Sequence, residues 1–111
     1  MVLSFKRIGT NLIIGLMGEL DHHSAEEVRN KIDDAIERDK INKVILDFSG
    51  VTFMDSSGIG VVIGRFKRLS MKNGNLAVVN VNKNINKVFE LSGLYKIVKS
   101  YDTVEDALGS I

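Results

Sequence analysis

The chain has 111 residues, with fifteen Lys and Arg against fourteen Asp and Glu, a formal net charge of +1 and no cysteine. One hydrophobic core is what this length supports, and it buries roughly two-thirds of the unfolded surface without a metal or disulfide. The missing cysteines exclude a disulfide framework, a thiolate metal site and a cysteine nucleophile. The balanced charge speaks against a protein built to grip nucleic acid, which carries a larger positive excess. Apolar runs such as Leu12 to Met17 and Ile59 to Ile63 fall far short of the ~20 residues that cross a bilayer. Met1 to Ile8 lacks the cationic and apolar blocks of a signal peptide. The expectation is a cytoplasmic domain spanning residues 1–111.

The apolar period changes repeatedly, and each change marks an element. Val2, Leu3 and Phe5 predict a first strand that turns at Gly9-Thr10-Asn11. A compact run from Leu12 predicts a second strand reaching about Leu20, paired with the first as a hairpin. Ser24 with Glu27 three residues on reads as a capping box opening an amphipathic helix that ends near Lys40. Its buried stripe is Ala25, Val28, Ile32, Ala35 and Ile36, and Glu26 and Arg29 fall on the solvent side. Lys43 to Phe48 is apolar on consecutive positions, which suits a strand covered on both faces. Ser49 to Asp55 follows as a connecting segment.

A second helix is predicted from about Ser57 to Met71, with Asn73-Gly74 as its left-handed stop. Leu76 to Val79 is the next strand, and Ile85, Val88 and Phe89 lie on a helix that stops near Gly93. Tyr95 to Val98 leads into a last short strand, and Thr103 caps a final helix up to Leu108. The order β-β-α-β-α-β-α-β-α requires crossovers. The fold class is therefore α/β: a single domain with a mixed, mostly parallel sheet of four to five strands and about four helices.

Chemistry concentrates in Asp55-Ser56-Ser57-Gly58-Ile59-Gly60, between an apolar segment and a helix. Each of Asp55, Ser56 and Ser57 is a good N-cap, so the plain reading is a capped helix start. One cap needs only one side chain, however. A spare serine hydroxyl here would lie beside free amides and the positive end of the helix dipole. A phosphate on it, adding a charge of about −1.5 to −2, would be tolerated by the fold and still be felt by a partner.

Other readings of these residues are weaker. Gly58, Gly60 and Gly64 are spaced one residue too long for a dinucleotide fingerprint, with no strand expected to run directly into them. A serine hydrolase would need His22 or His23 near Ser57, and Gly-x-Ser-x-Gly is absent. Asp21-His22-His23-Ser24 invites a metal, but adjacent residues on an extended chain point opposite ways and no third histidine exists. Neither a cofactor nor a metal is expected.

Gly18-Glu19-Leu20-Asp21-His22-His23-Ser24-Ala25-Glu26, followed by Phe53-Met54-Asp55-Ser56-Ser57-Gly58-Ile59-Gly60-Val61, resembles the bacterial anti-sigma factor antagonists of the STAS domain family, the sporulation-type members above all. Gly64-Arg65-Phe66-Lys67 and Val88-Phe89-Glu90-Leu91-Ser92-Gly93-Leu94 extend the match in the same order. The resemblance implies a non-enzymatic switch with Ser57 as phosphoacceptor. Its partners would be an anti-sigma factor that is also a serine kinase, and a serine phosphatase. Asp55, Ser56, Gly58 and Ile59 would form the docking edge, with Asp21, His22 and His23 in a loop beside it. A monomer is expected for the free chain. Some relatives carry proline where this chain has Asn82-Lys83-Asn84, a difference that touches helix entry alone. A STAS regulator of another partner-switching circuit, such as a general stress response or a stressosome, is the alternative. A transporter's cytoplasmic domain is disfavoured, because no membrane span accompanies it.

Overall fold

A computed structural model describes residues 1–111. The strands are β1 (Val2–Ile8), β2 (Asn11–Leu20), β3 (Lys43–Met54), β4 (Asn75–Val79) and β5 (Lys99–Tyr101), and the helices are α1 (Ala25–Arg38), α2 (Ser56–Ser70), α3 (Lys83–Ser92) and α4 (Val104–Leu108). They form one five-stranded sheet in the order β1-β2-β3-β4-β5. The β1–β2 hairpin is antiparallel and every later pair is parallel.

Because each new parallel strand joins the same growing edge, right-handed crossovers place their helices on one face. Leu12, Ile14, Leu16, Val44, Leu46 and Phe48 from the sheet accordingly pack with Val28 and Ile32 of α1, Val62 and Leu69 of α2, and Phe89 of α3. The odd partners Ile45, Ala77 and Val79 face the other way, where α4 covers them with Ala107, Val104 and Leu108. Phe89 is fully buried and meets Phe48 and Tyr95 edge-on, with centroids 5.2 and 5.7 Å apart.

Three local expectations change. First, β3 runs to Met54 and takes up all but the last residue of the segment Ser49 to Asp55 that looks like a connection. Its period is hidden by register shifts between Gly15 and Met17 and between Gly18 and Glu19 of β2, which break the alternation. Gly50 sits at the first shift, where a Cβ would lie 2.6 Å from Met17 Cγ and 2.8 Å from the Leu16 carbonyl oxygen. β3 therefore delivers the chain straight into α2, and Gly58, Gly60 and Gly64 lie in that helix rather than in a phosphate-binding turn.

Second, the Ser24–Glu27 capping box does not form. Asp21 closes the turn instead: its Oδ1 accepts from the amides of His23 (2.9 Å) and Ser24 (3.1 Å), as an N-cap one turn earlier would. Ser24 Oγ donates to the Glu19 carbonyl (2.8 Å), and Glu27 pairs with Lys31 at 2.8 Å. Third, Leu94–Lys96 forms a single 3-10 turn before β5, after Gly93 ends α3 with φ +77°. The left-handed stop of α2 is taken by Asn73 at φ +58°.

Candidate functional site

The end of β3 and the start of α2 build the site. Asp55, in extended conformation, caps α2 through Oδ1, which accepts from the Ser57 amide at 2.8 Å. Its Oδ2 accepts from the His22 amide at 3.2 Å, across 33 residues of sequence. One carboxylate thus ties the β2–α1 loop to the helix start. The carboxyl of Asp21 is held below the ordinary carboxylate range: desolvation pushes it up, but the Ser24 and His23 amides, the His23 charge and the Ser24 hydroxyl outweigh that.

With the cap supplied by Asp55, the hydroxyls of Ser56 and Ser57 take no part in it. Ser56 is exposed and Ser57 is half-buried at the mouth of a groove between α1 and α2. The groove has a volume of about 510 Å³. On the α2 side it is floored by Ser57, Gly60 and Gly64, which share a face at i, i+3 and i+7. His22, Glu26 and Arg29 line the other wall, and Arg65 lies at the far end.

Of the residues predicted for the site, His22, Asp55, Ser56 and Ser57 come together on this edge. Asp21 and His23 turn toward the opposite side of the loop, where they line a separate recess with Glu19 and Glu27. Gly58 and Ile59, expected on the docking edge, point inward. Ile59 is 8% exposed within the core, and a Cβ on Gly58 would meet Met54 and Leu20 at 2.7 to 3.0 Å. The first turn of α2 puts them on the sheet-facing side of the helix. The side chains of His22 and His23 contact each other edge-on, and neither makes a hydrogen bond to Ser57 or to a carboxylate, so no serine–imidazole relay is assembled.

Arg65 is a site residue that the sequence reading passed over. It occupies the buried stripe of α2 between Val61 and Leu69, with only 9% of its side chain exposed. Its Nε lies 2.8 Å from Asp33 Oδ1, an ion pair not aligned as a hydrogen bond, and its Nη1 is buried without a partner. Burial lowers the Arg65 pKa; Asp33 opposes this, while Arg29 and Arg68 add to it. Arg68 pairs with Glu37 at 2.6 Å. A cation at an apolar stripe position was the available signal, since such a residue needs a partner on a neighbouring element.

The bare floor has a measurable cost. Nothing lies within 4 Å of a Cβ placed on Gly60 or Gly64, and neither backbone has positive φ. Gly60→Ala and Gly64→Ala should each stabilise the domain by about 0.5–1 kcal/mol in urea denaturation. A destabilisation from either would mean that the helix is strained there.

A mixed sheet with three helices on one face, and a helix-start serine freed from capping at a groove mouth, defines a small α/β domain. The chain belongs to the STAS domain family, whose profile matches residues 3–107. Anti-sigma F factor antagonist of Paenibacillus polymyxa is 43% identical over 97 residues, covering 87% of this chain and 83% of that protein. The structure of the Bacillus cell fate determinant SpoIIAA in its phosphorylated form matches with a TM-score of 0.75 and 35% identity, over 97% of each chain. A crystal structure from Thermotoga maritima matches with a TM-score of 0.92 and 28% identity, over 98% of this chain and 93% of that one. No helix is long and apolar enough to cross a membrane.

Proposed function

We propose that this protein is an anti-sigma factor antagonist whose activity is switched by phosphorylation of Ser57. The observation that carries this reading is the division of labour at the start of α2. Asp55 does the capping, which leaves the Ser57 hydroxyl unbonded at the open mouth of a groove. The relatives named as anti-sigma F factor antagonists, and the similar fold known in a phosphorylated form, support it.

In this reading the unphosphorylated protein binds an anti-sigma factor that is also a serine kinase, and so releases the sigma factor. Ser57 Oγ attacks the γ-phosphorus of ATP held by that kinase; ADP leaves and the hydroxyl proton passes to a base on the kinase. The phosphoprotein loses affinity, and a serine phosphatase restores it by hydrolysis. The protein is a regulator and substrate, not a catalyst. It acts in the cytoplasm and is a monomer when free. His22, Asp55 and Ser56 form the docking edge around Ser57, with Asp21 and His23 at its flank.

The test is phosphopeptide mass spectrometry after incubation with a sporulation-type anti-sigma kinase and ATP. One phosphate on Ser57, absent from Ser57→Ala, is the expected result. Phosphate on Ser56 alone would overturn the assignment. A stress-response kinase labelling Ser57 while the sporulation type does not would move the protein to that circuit.

A further inference from the structure

The α1–α2 groove raises the question of where a phosphate on Ser57 would go. The two helices run side by side in matched register: Arg65 meets Asp33 and Arg68 meets Glu37, an offset of about one turn further along each. Extended toward the helix starts, that register sets Ser57 opposite Ala25 and the Val61 level opposite Arg29. Helical side chains lean toward the N-terminus of their own helix, a direction that gives Arg29 a path to the level of Ser57, and its charge is also felt at Arg65. Between them the groove floor is Gly60, which has no side chain to block the way.

Arg29 is exposed and enters none of the ion pairs of the chain. At the far end lies a second cation with an unused donor, Arg65 Nη1, on a side chain more than nine-tenths buried. His22 lines the mouth on the loop side. Three negative groups oppose these: Glu26 on the same wall, Asp55, whose oxygens are taken by two amides, and Asp33, which is already paired with Arg65. A buried guanidinium with a spare N–H and a free arginine are more than a structural groove requires.

We propose that this groove is the seat of the phosphoryl group: phosphoserine 57 turns inward along the glycine floor, with Arg29 as its counter-ion and a ring N–H of His22 as a further hydrogen-bond donor. The proposal rests on the reading of Ser57 as phosphoacceptor and adds how the modified state is held. Arginine suits the role because its planar fork can hold two phosphate oxygens at once. The seated phosphate fills the groove mouth, so a partner meets both a negative charge and a closed cleft.

The experiment uses the full chain with phosphoserine installed at position 57 during translation, independent of any kinase, and follows the phosphorus resonance across a pH titration. Free phosphoserine loses its second proton near ~6. The seated group titrates lower. Because the start of α2 itself favours the dianion, the diagnostic is the comparison of variants. Arg29→Gln should raise the midpoint by about half a unit or more, and Glu26→Gln should lower it further. Both positions are exposed on α1, so neither change threatens the fold. A midpoint unmoved by Arg29→Gln overturns the seat. Kinase labelling of Ser57 combined with an unmoved midpoint overturns the seat alone, whereas an Arg29-dependent midpoint in a protein that the kinase labels elsewhere overturns the acceptor reading.

Discussion

Carrying phosphate on Ser57, the protein should bind the anti-sigma kinase of the proposed circuit ~100- to 1000-fold more weakly than the unmodified chain. Ser57→Ala should bind as tightly as the unmodified chain and accept no phosphate. The phosphate adds a charge of about −1.5 to −2 to an edge that must be desolvated on docking, and ~3–4 kcal/mol of such cost gives that factor. Ser57→Asp should fall between, since it brings one charge and fewer acceptor oxygens. Stability separates this from a folding effect. The Ser57 side chain forms no part of the cap, so Ser57→Ala should shift unfolding by no more than ~0.5 kcal/mol. Asp55→Ala, which removes the acceptor for two amides, should cost about 1–2 kcal/mol. Calorimetric titration against the kinase, with urea denaturation of each variant, checks both halves. Wild-type affinity in the phosphoprotein would defeat the switch.

Phe89→Ala should be the most damaging single truncation in the helix-covered core, at about 3–5 kcal/mol. Phe89 is fully buried, at the junction of β3, α3 and the turn that follows it, edge-on to both Phe48 and Tyr95. No neighbour can refill that space without giving up its own aromatic contact. Against a total stability of roughly 5–15 kcal/mol for a domain of this kind, the variant sits near the unfolding threshold. Leu91, two residues on, is 89% exposed, and Leu91→Ala should be nearly silent. Urea midpoints for the pair decide it: similar values would mean that α3 does not pack as described.

The sequence made legible whatever is written in local periodicity. The helices with clear apolar stripes, the hairpin at Gly9 and Thr10, and the stops at Asn73 and Gly93 are all set by nearby residues. What stayed hidden depends on a second strand or helix. The second half of β3 is visible only once β2 is beside it, because the bulges that break its alternation are features of the pair. Ser24 looks like a cap, but its hydroxyl is drawn to the Glu19 carbonyl while Asp21 accepts the His23 and Ser24 amides, and a sequence pattern does not reveal such competing partners. At the site, Ser57 and its neighbours follow from one short segment and from the resemblance it carries. The inward packing of Gly58 and Ile59 follows only when α2 lies on the sheet, and the groove formed with Glu26, Arg29 and Arg65 only when α1 lies beside α2.

The carboxylate of Asp55 makes distant parts of the chain share a clock. It holds the amides of His22 and Ser57, 35 positions apart by their numbers, on its two oxygens. Either amide meets solvent deuterium when that one side chain rotates away, so their exchange rates should rise and fall together. The loop before α1 and the start of α2 therefore behave kinetically as one hinge point, and an isotope label at His22 reports on the state of Ser57 without touching it.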